Sequence, residues 1–362
     1  MRHEKISTIQ TVFTVASTVY AVEIVSLPRR IAEKTQTPDV WQGLFLASLL
    51  GLLVVLINVS LCRRFPGKTF YEITTLIAGK VIGPIINILF IGYCLLTCSM
   101  VVRMMAEFIK VLALERTPVI AIILPFLLLV GYLTSGGLHV MVRLVELFIP
   151  LTLVVFLLLV IFNLNNFNLD NLRPVFHEGW GPVFRSMEVV PFSILGFESM
   201  LILTNFMVNP QKAWKAGAIG YYIAMGLYLL MVTMVIGCMS VEEVSRLQWP
   251  VLSFAQQIEI PGAFLERFEL LFIVLWTIKI YMTTANYYFY FAAGVSHLTQ
   301  KWNRYVYYLP LIILFVIVVY PDNFVEIDNL NKFTGYFGVF IGALIPLLLL
   351  VISYIFRPRK LG

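Results

Sequence analysis

Charged residues are scarce in this sequence. Asp, Glu, Lys and Arg make up 13% of its 362 residues and hydrophobic residues 60%, and the mean hydropathy is +0.89. A soluble globular domain carries roughly 25% charged and about 45–50% apolar residues. The deficit of charge excludes a water-soluble domain and indicates an all-α integral membrane protein that crosses the bilayer several times.

Cysteine and histidine are also few, and catalytic motifs are missing. The four cysteines lie in or beside apolar stretches and do not form the framework of a small secreted domain. Cys94 and Cys98 share a helical face, but no histidine is near them in sequence, so apolar packing is the better interpretation. GxxxxGKS/T, HExxH, GxSxG and CxxC do not occur. The sequence therefore predicts no enzyme, no metal and no cofactor.

The net charge of +6 does not indicate a nucleic-acid partner. Lys and Arg form short clusters beside apolar runs rather than a basic stripe, which is typical of a positive-inside signal. They are slightly more numerous on the side that carries both chain ends, and most acidic residues lie on the other side. We therefore expect both termini in the cytoplasm.

Ten apolar stretches are long enough to cross a bilayer, for which a helix needs about 20 residues. They lie near residues 8–32, 41–62, 80–110, 118–134, 139–163, 183–208, 214–239, 264–296, 305–320 and 334–356. No connection is long enough for a soluble domain, so residues 1–362 are predicted to form a single transmembrane domain.

The sixth span contains residues that suit a lipid-facing helix poorly. In PFSILGFESM, Pro191 removes a backbone donor, Gly196 weakens the helix, and Glu198 places a carboxylate at bilayer depth. The first span is unusual in the same way, because TVYAVEIVSLPRR places Glu23 near its middle and Pro28 near its end. Transporters carry broken helices in pairs at corresponding positions of two inverted repeats. We therefore predict a five-plus-five repeat in which helices 1 and 6 are discontinuous.

The predicted repeats cover about residues 8–163 and 183–356. Half-helix ends present unpaired N–H and C=O groups, which together suit a zwitterionic ligand. Glu198 has two interpretations: it belongs to the ligand site, or it is a structural carboxylate that satisfies freed backbone N–H groups or a neighbouring helix. For Pro191 alone, a simple kink is the better interpretation.

These residues carry a family resemblance. PFSILGFES resembles the sixth-span signature of the amino acid–polyamine–organocation transporters, and the whole chain resembles the permease-like B subunit of spore-germination nutrient receptors. The matching stretches are SLPR (26–29), LERTP (114–118), NLRPV (171–175), LGFE (195–198), WP (249–250) and LERFE (265–269).

The resemblance implies a LeuT-like fold in the inner membrane of an endospore-forming bacterium. It also implies nutrient sensing beside an A subunit with cytoplasmic domains and a lipoprotein C subunit, with small nutrients, commonly amino acids, as ligands. The chain departs from the family at the first-span break, which is usually glycine-rich and here reads Ala21, Val22 and Glu23. Either these side chains fill the pocket, or Glu23 rejects a ligand carboxylate and favours a cationic or uncharged ligand.

The eighth span carries a polar stripe on one helical face. The stripe comprises Lys279, Thr283, Asn286, Tyr287 and Tyr290. It either lines the pocket or provides hydrogen bonds between helices. In transporters of this fold, hydroxyls on span eight help bind sodium, and Thr283 and Thr284 resemble them. Some relatives place a lysine on span five, where this chain has none, so ion coupling is not supported.

The third span directs Tyr93 and Thr97 toward the predicted pocket, and Arg103 is four residues before Glu107, which predicts a structural ion pair. Together with these residues, the resemblance implies a receptor subunit that binds a small nutrient within the lipid bilayer. The predicted ligand-binding residues are Ala21, Val22, Glu23, Tyr93, Thr97, Ser193, Leu195, Gly196, Phe197, Thr283 and Tyr287, and the associated charges are Glu198 and Lys279. The alternatives are a proton- or sodium-coupled amino-acid transporter and a germination-linked ion or solute channel.

Overall fold

The structure, a computed structural model, describes residues 5–20, 22–258, 268–300, 305–321 and 323–355. Within these ranges the secondary structure is helical, and the single β-bridge, between Ile6 and Met207, is isolated. The α-helices are α1 (Thr8–Val19), α2 (Leu27–Thr35), α3 (Val40–Arg64), α4 (Phe70–Leu112), α5 (Val119–Ser135), α6 (Leu138–Phe162), α7 (Gly181–Met187), α8 (Ser199–Leu203), α9 (Ala213–Arg246), α10 (Pro250–Gln256), α11 (Phe268–Thr299), α12 (Tyr305–Val319), α13 (Phe324–Val339) and α14 (Ile345–Ile355).

Each of the ten predicted spans contains one or two helices. Spans one, six and ten each contain two helices (α1 with α2, α7 with α8, α13 with α14), and the others are α3, α4, α5, α6, α9, α11 and α12. Six helices in the described ranges are long and apolar enough to cross a membrane by length and composition, and shorter apolar helices lie at Thr8–Val19, Val119–Ser135 and Pro310–Val319. The predicted all-α membrane fold is confirmed.

Two span boundaries differ from the prediction for identifiable reasons. The helix of span three begins ten residues early, at Phe70, because Thr69 and Glu72 form a capping box. Gly79 then turns the chain with φ +83° before the span proper. The helix of span ten begins at Phe324, where the Asn323 side chain accepts from the Glu326 N–H. Hydropathy misses this first part of α13 because it is polar.

The two ends of the described chain lie on the same side of the helix bundle. The N–H of Ile6 donates to the carbonyl of Phe206 (2.7 Å), and Arg64 Nη2 donates to the carbonyl of Ser353 (2.6 Å). The two pairs lie together because Cys62, at the end of α3, contacts the carbonyl of Leu201 in α8 (3.5 Å). We call this the terminal side. The opposite side, called the far side, carries the end of α2 and the start of α13.

Span one is interrupted after α1. A capping box of Ser7 and Gln10 starts α1, and a 3-10 turn at Val22–Val25 separates its end at Val19 from α2. Pro28 lies in the first turn of α2, where its missing N–H leaves no helical hydrogen bond unmade. Glu23 therefore lies in the interruption itself.

Span six is interrupted between α7 and α8, where residues 188–198 form turns. Gly196 has φ +111°, which L side chains rarely adopt. A Cβ added to Gly196 would lie 2.7 Å from the backbone N and Cα of Val19, the last residue of α1. The two interruptions thus meet in direct contact, and the predicted discontinuity of helices 1 and 6 is confirmed.

We expect Gly196→Ala to destabilise the protein by more than about 1 kcal/mol, because the new methyl group requires both a strained φ and displacement of the α1 backbone. The matched control is Gly226→Ala in the interior of α9, where an added Cβ meets no heavy atom within 4 Å. The measurement is the thermal unfolding midpoint of the full chain in detergent. Equal midpoints for the two variants would contradict the close contact.

Candidate functional site

Most of the predicted ligand-binding residues are buried at the junction of the two interrupted spans with α4 and α11. Glu23, Thr97, Leu195 and Tyr287 line a central pocket there. Tyr93 and Gly196 form hydrogen bonds with Glu198, Ser193 with Glu23 and Thr283 with Lys279. Phe197 is buried, and its carbonyl accepts from Asn58. Ala21 and the side chain of Val22 lie outside the described residues.

The Glu198 carboxylate accepts three hydrogen bonds. Its Oε1 accepts from the hydroxyls of Tyr93 (2.7 Å) and Tyr287 (2.8 Å), and its Oε2 accepts from the N–H of Gly196 (2.9 Å). One carboxylate therefore connects the interruption of span six to α4 and α11. It satisfies a freed backbone donor, the arrangement expected of a structural carboxylate.

Asn58 provides hydrogen-bond donors for two backbone carbonyls. Its side-chain amide, fully buried in α3, donates to the carbonyls of Phe197 (3.3 Å) and Gly342 (3.1 Å). Asn58 is not among the residues that the sequence predicts for the site. The available signal was a single asparagine in the middle of an apolar span, where an unpaired amide is costly.

Lys279 extends from α11 to the end of α1. Its ammonium, fully buried, donates to the carbonyl of Ser17 and to Thr283 Oγ1 (2.7 Å), and it lies 5.0 Å from the ring centroid of Tyr20. Ser17 is in the last turn of α1, where the helix dipole places partial negative charge. Among the described residues no carboxylate is paired with this ammonium.

The polar stripe on α11 has both of its predicted uses. Thr283 donates to the carbonyl of Ser17 (2.8 Å) and Asn286 to Thr18 Oγ1 (3.1 Å), so these residues join helices. Tyr287 lines the central pocket. The predicted ion pair of Arg103 and Glu107 is confirmed at 2.8 Å.

Glu23 lies between the central pocket and the far side. Its Oε2 is paired with Arg30 and accepts from Ser193 Oγ (3.4 Å), whereas Oε1 has no hydrogen-bond partner in the described chain. Arg30 also approaches Asp328 at the start of α13 (4.0 Å). The side chain belongs to both compartments, because it lines the central pocket and a second cavity beyond it.

The two compartments differ greatly in size. The central pocket has a volume of about 10 Å³, which is at the lower limit for a single water molecule. The far-side cavity has a volume of about 480 Å³ and is lined by charged residues of α2 and α13. Hydropathy places these α13 residues in a loop before span ten, so the sequence does not predict that they line a cavity.

Comparison with known proteins agrees with this architecture. A profile of the family described as "Spore germination protein" matches residues 5–327. Spore germination protein YndE of Bacillus subtilis is 34% identical over 99% of this chain and 98% of its own length. Spore germination protein A2 of the same organism is 32% identical over 96% of this chain and 95% of its own length.

Solved structures share the fold at low identity. MhsT in complex with L-phenylalanine superposes with a TM-score of 0.71 at 11% identity and covers 97% of this chain and 99% of its own. A mutant of the Eremococcus coleocola manganese transporter gives a TM-score of 0.60 at 12% identity and covers 94% of this chain and 78% of its own. The predicted LeuT-like fold is confirmed.

We expect Tyr93→Phe and Tyr287→Phe to be non-additive. Each single variant leaves Glu198 Oε1 with one donor and lowers the free energy of unfolding by about 1 kcal/mol. The double variant leaves this oxygen without a donor and lowers the free energy of unfolding by about 1–3 kcal/mol more than the two single losses added together. Thermal unfolding of the full chain in detergent measures the effect, with exposed Tyr222→Phe as the control. Strict additivity would show that the hydroxyls do not share one acceptor.

We expect Lys279→Met to loosen α1. Loss of a hydrogen bond from a charged group costs about 1.5–3 kcal/mol, which corresponds to at least about tenfold faster opening of the segment. Hydrogen–deuterium exchange of residues 8–19, measured by mass spectrometry, reports the change, and exposed Lys68→Met is the control. Slower exchange would mean that the desolvation free energy of Lys279 exceeds the stabilisation from its hydrogen bonds.

Proposed function

This chain belongs to the spore germination protein family, and on that premise we propose that it is the permease-like subunit of a spore germinant receptor. In this role it binds a small nutrient within the membrane and signals through partner subunits, an A subunit with cytoplasmic domains and a lipoprotein C subunit. We place it in the inner membrane of the spore with both termini in the cytoplasm, a topology that the distribution of Lys and Arg supports.

One observation carries the proposal: the central pocket lies where the two interrupted spans meet, and a buried hydroxyl faces it without a partner. Thr97 lines this pocket, and its Oγ1 has no hydrogen-bond partner in the described chain. A ligand can form a hydrogen bond with such a hydroxyl without breaking an existing one. The solved neighbour MhsT, crystallised with L-phenylalanine, suggests an amino acid as the ligand class.

The size of the central pocket requires a second conformation for binding. A volume of about 10 Å³ does not admit an amino acid, so the ligand binds a state in which the half-helices move away from α4 and α11. The hydrogen bonds of Glu198 and Lys279 are the contacts that such a movement changes. Ligand shifts the equilibrium by its differential affinity for the two states, and the partner subunits respond to that shift.

The contacts of Lys279 favour a role as a sensor rather than as a sodium-coupled transporter. Thr283, which resembles a sodium-binding hydroxyl of transporters with this fold, is already engaged by the Lys279 ammonium. The Lys279 nitrogen also contacts the carbonyl of Ser17, so it occupies the position beside this hydroxyl that a sodium ion would need. We therefore expect the ligand response to be independent of sodium.

Germination of variant spores tests the proposal. Thr97→Val replaces the hydroxyl by a methyl group of similar size, and we expect it to raise the amino-acid concentration for half-maximal germination by about fivefold or more. Thr284→Val is the matched control, because Thr284 Oγ1 is also buried without a partner but does not line the central pocket. The readout is the loss of optical density of purified spores whose native gene carries each allele.

Two results would overturn the assignment. If both alleles germinate as the wild type does, the central pocket is not the nutrient site. If proteoliposomes of the full chain accumulate labelled amino acid under a proton or sodium gradient, the protein is a transporter; a ligand-gated conductance would indicate a channel.

A further inference from the structure

The far-side cavity is built from the first-span interruption and the polar start of α13. Glu23, Arg29 and Arg30 come from the interruption and α2, and Asp328, Asn331 and Lys332 come from α13. Its volume of about 480 Å³ falls within the range of about 300–1,000 Å³ typical of small-molecule sites. The cavity is separate from the central pocket except for the side chain of Glu23, which lines both.

Most charges of the cavity are paired within the protein. Lys332 is 2.6 Å from Asp328, Lys34 is 2.9 Å from Glu188, and Arg30 is paired with Glu23. Arg29 differs from these cations. Its nearest carboxylate, Glu33, lies 3.6 Å from Nε, and this Nε has no hydrogen-bond partner in the described chain. Of these cations, Arg29 is therefore the one whose nearest carboxylate is farthest away, with a partner, Glu33, that is largely exposed, so its guanidinium is the one that an anionic group can engage most readily.

Two buried acceptors of the same cavity also lack partners. Glu23 is 1% exposed and Asn331 is 2% exposed, and neither Glu23 Oε1 nor Asn331 Oδ1 accepts a hydrogen bond from the described residues. The amide of Asn331 is oriented by Nδ2, which donates to the sulfur of Met104 (2.8 Å). A buried acceptor without a donor costs about 1–3 kcal/mol. Two such acceptors in one cavity indicate a ligand that brings several N–H donors.

We propose that the far-side cavity is a second binding site for an α-amino acid, with its ammonium on Glu23 Oε1 and Asn331 Oδ1 and its carboxylate on Arg29. A simple anion leaves the two acceptors unsatisfied, and a simple amine leaves Arg29 with only its long contact to the exposed Glu33. A zwitterion satisfies both sets. The inference deepens the proposed function and rests on it for the ligand class, but it places the first contact outside the central pocket.

The test measures binding to the full chain in nanodiscs by isothermal titration calorimetry. The common amino acids are titrated singly, and the tightest binder is compared with the amine that lacks its carboxylate. We expect the wild type to bind the amino acid about tenfold more tightly than the amine, and Arg29→Gln to remove that difference. Asn331→Leu should weaken both compounds by about fivefold or more, because each uses the ammonium contact.

A bulky substitution provides an independent variant. Val189→Trp places an indole in the far-side cavity and should abolish binding, whereas Val175→Trp, on an exposed residue that does not line the cavity, should leave it unchanged. Circular dichroism and size-exclusion chromatography confirm that each variant is folded.

The outcomes separate this inference from the proposed function. If Thr97→Val weakens binding while Arg29→Gln and Val189→Trp have no effect, the far-side site is wrong and the central nutrient site stands. If Arg29→Gln and Val189→Trp act as expected while Thr97→Val spores germinate normally, the far-side site stands and the central site fails. If no amino acid binds the wild type, the far-side inference is overturned.

Discussion

A helix that breaks inside a membrane leaves N–H and C=O groups without partners, in a medium with no water to replace them. Much of this structure depends on satisfying those groups. The N–H of Gly196 donates to the Glu198 carboxylate, the carbonyl of Phe197 accepts from Asn58, and the carbonyl of Ser17 accepts from Lys279. The polar side chains that are costly in an apolar segment are thus located where the interruptions require them.

The same contacts join elements that must separate if the protein changes state. Glu198 connects span six to α4 and α11, and Lys279 connects α11 to α1. Hydrogen bonds between neighbouring helices contribute modest net free energy when they are exchanged for equivalent partners. A ligand that offers such partners at the interruptions can therefore shift the balance between two packings without disturbing the hydrophobic contacts that stabilise each helix bundle.

Space and charge are distributed unequally along the axis of the molecule. The central pocket has a volume of only about 10 Å³, whereas the far-side cavity has a volume of about 480 Å³ and contains several ion pairs. Glu23 is the side chain common to both. Arg30 pairs with one oxygen of this carboxylate and leaves the other without a partner among the described residues.

The sequence alone determined the membrane class, the ten spans, and the interruptions at Glu23 and Gly196, because apolar length and helix-breaking residues act locally. Resemblance supplied the family, which comparison with known proteins confirmed. The pairing of Glu198 with Tyr93 and Tyr287, the role of Asn58, and the far-side cavity were decided only by tertiary structure. Their partners are far apart in sequence, and hydrogen bonds and cavity volumes depend on how helices pack, for which hydropathy and periodicity carry no information.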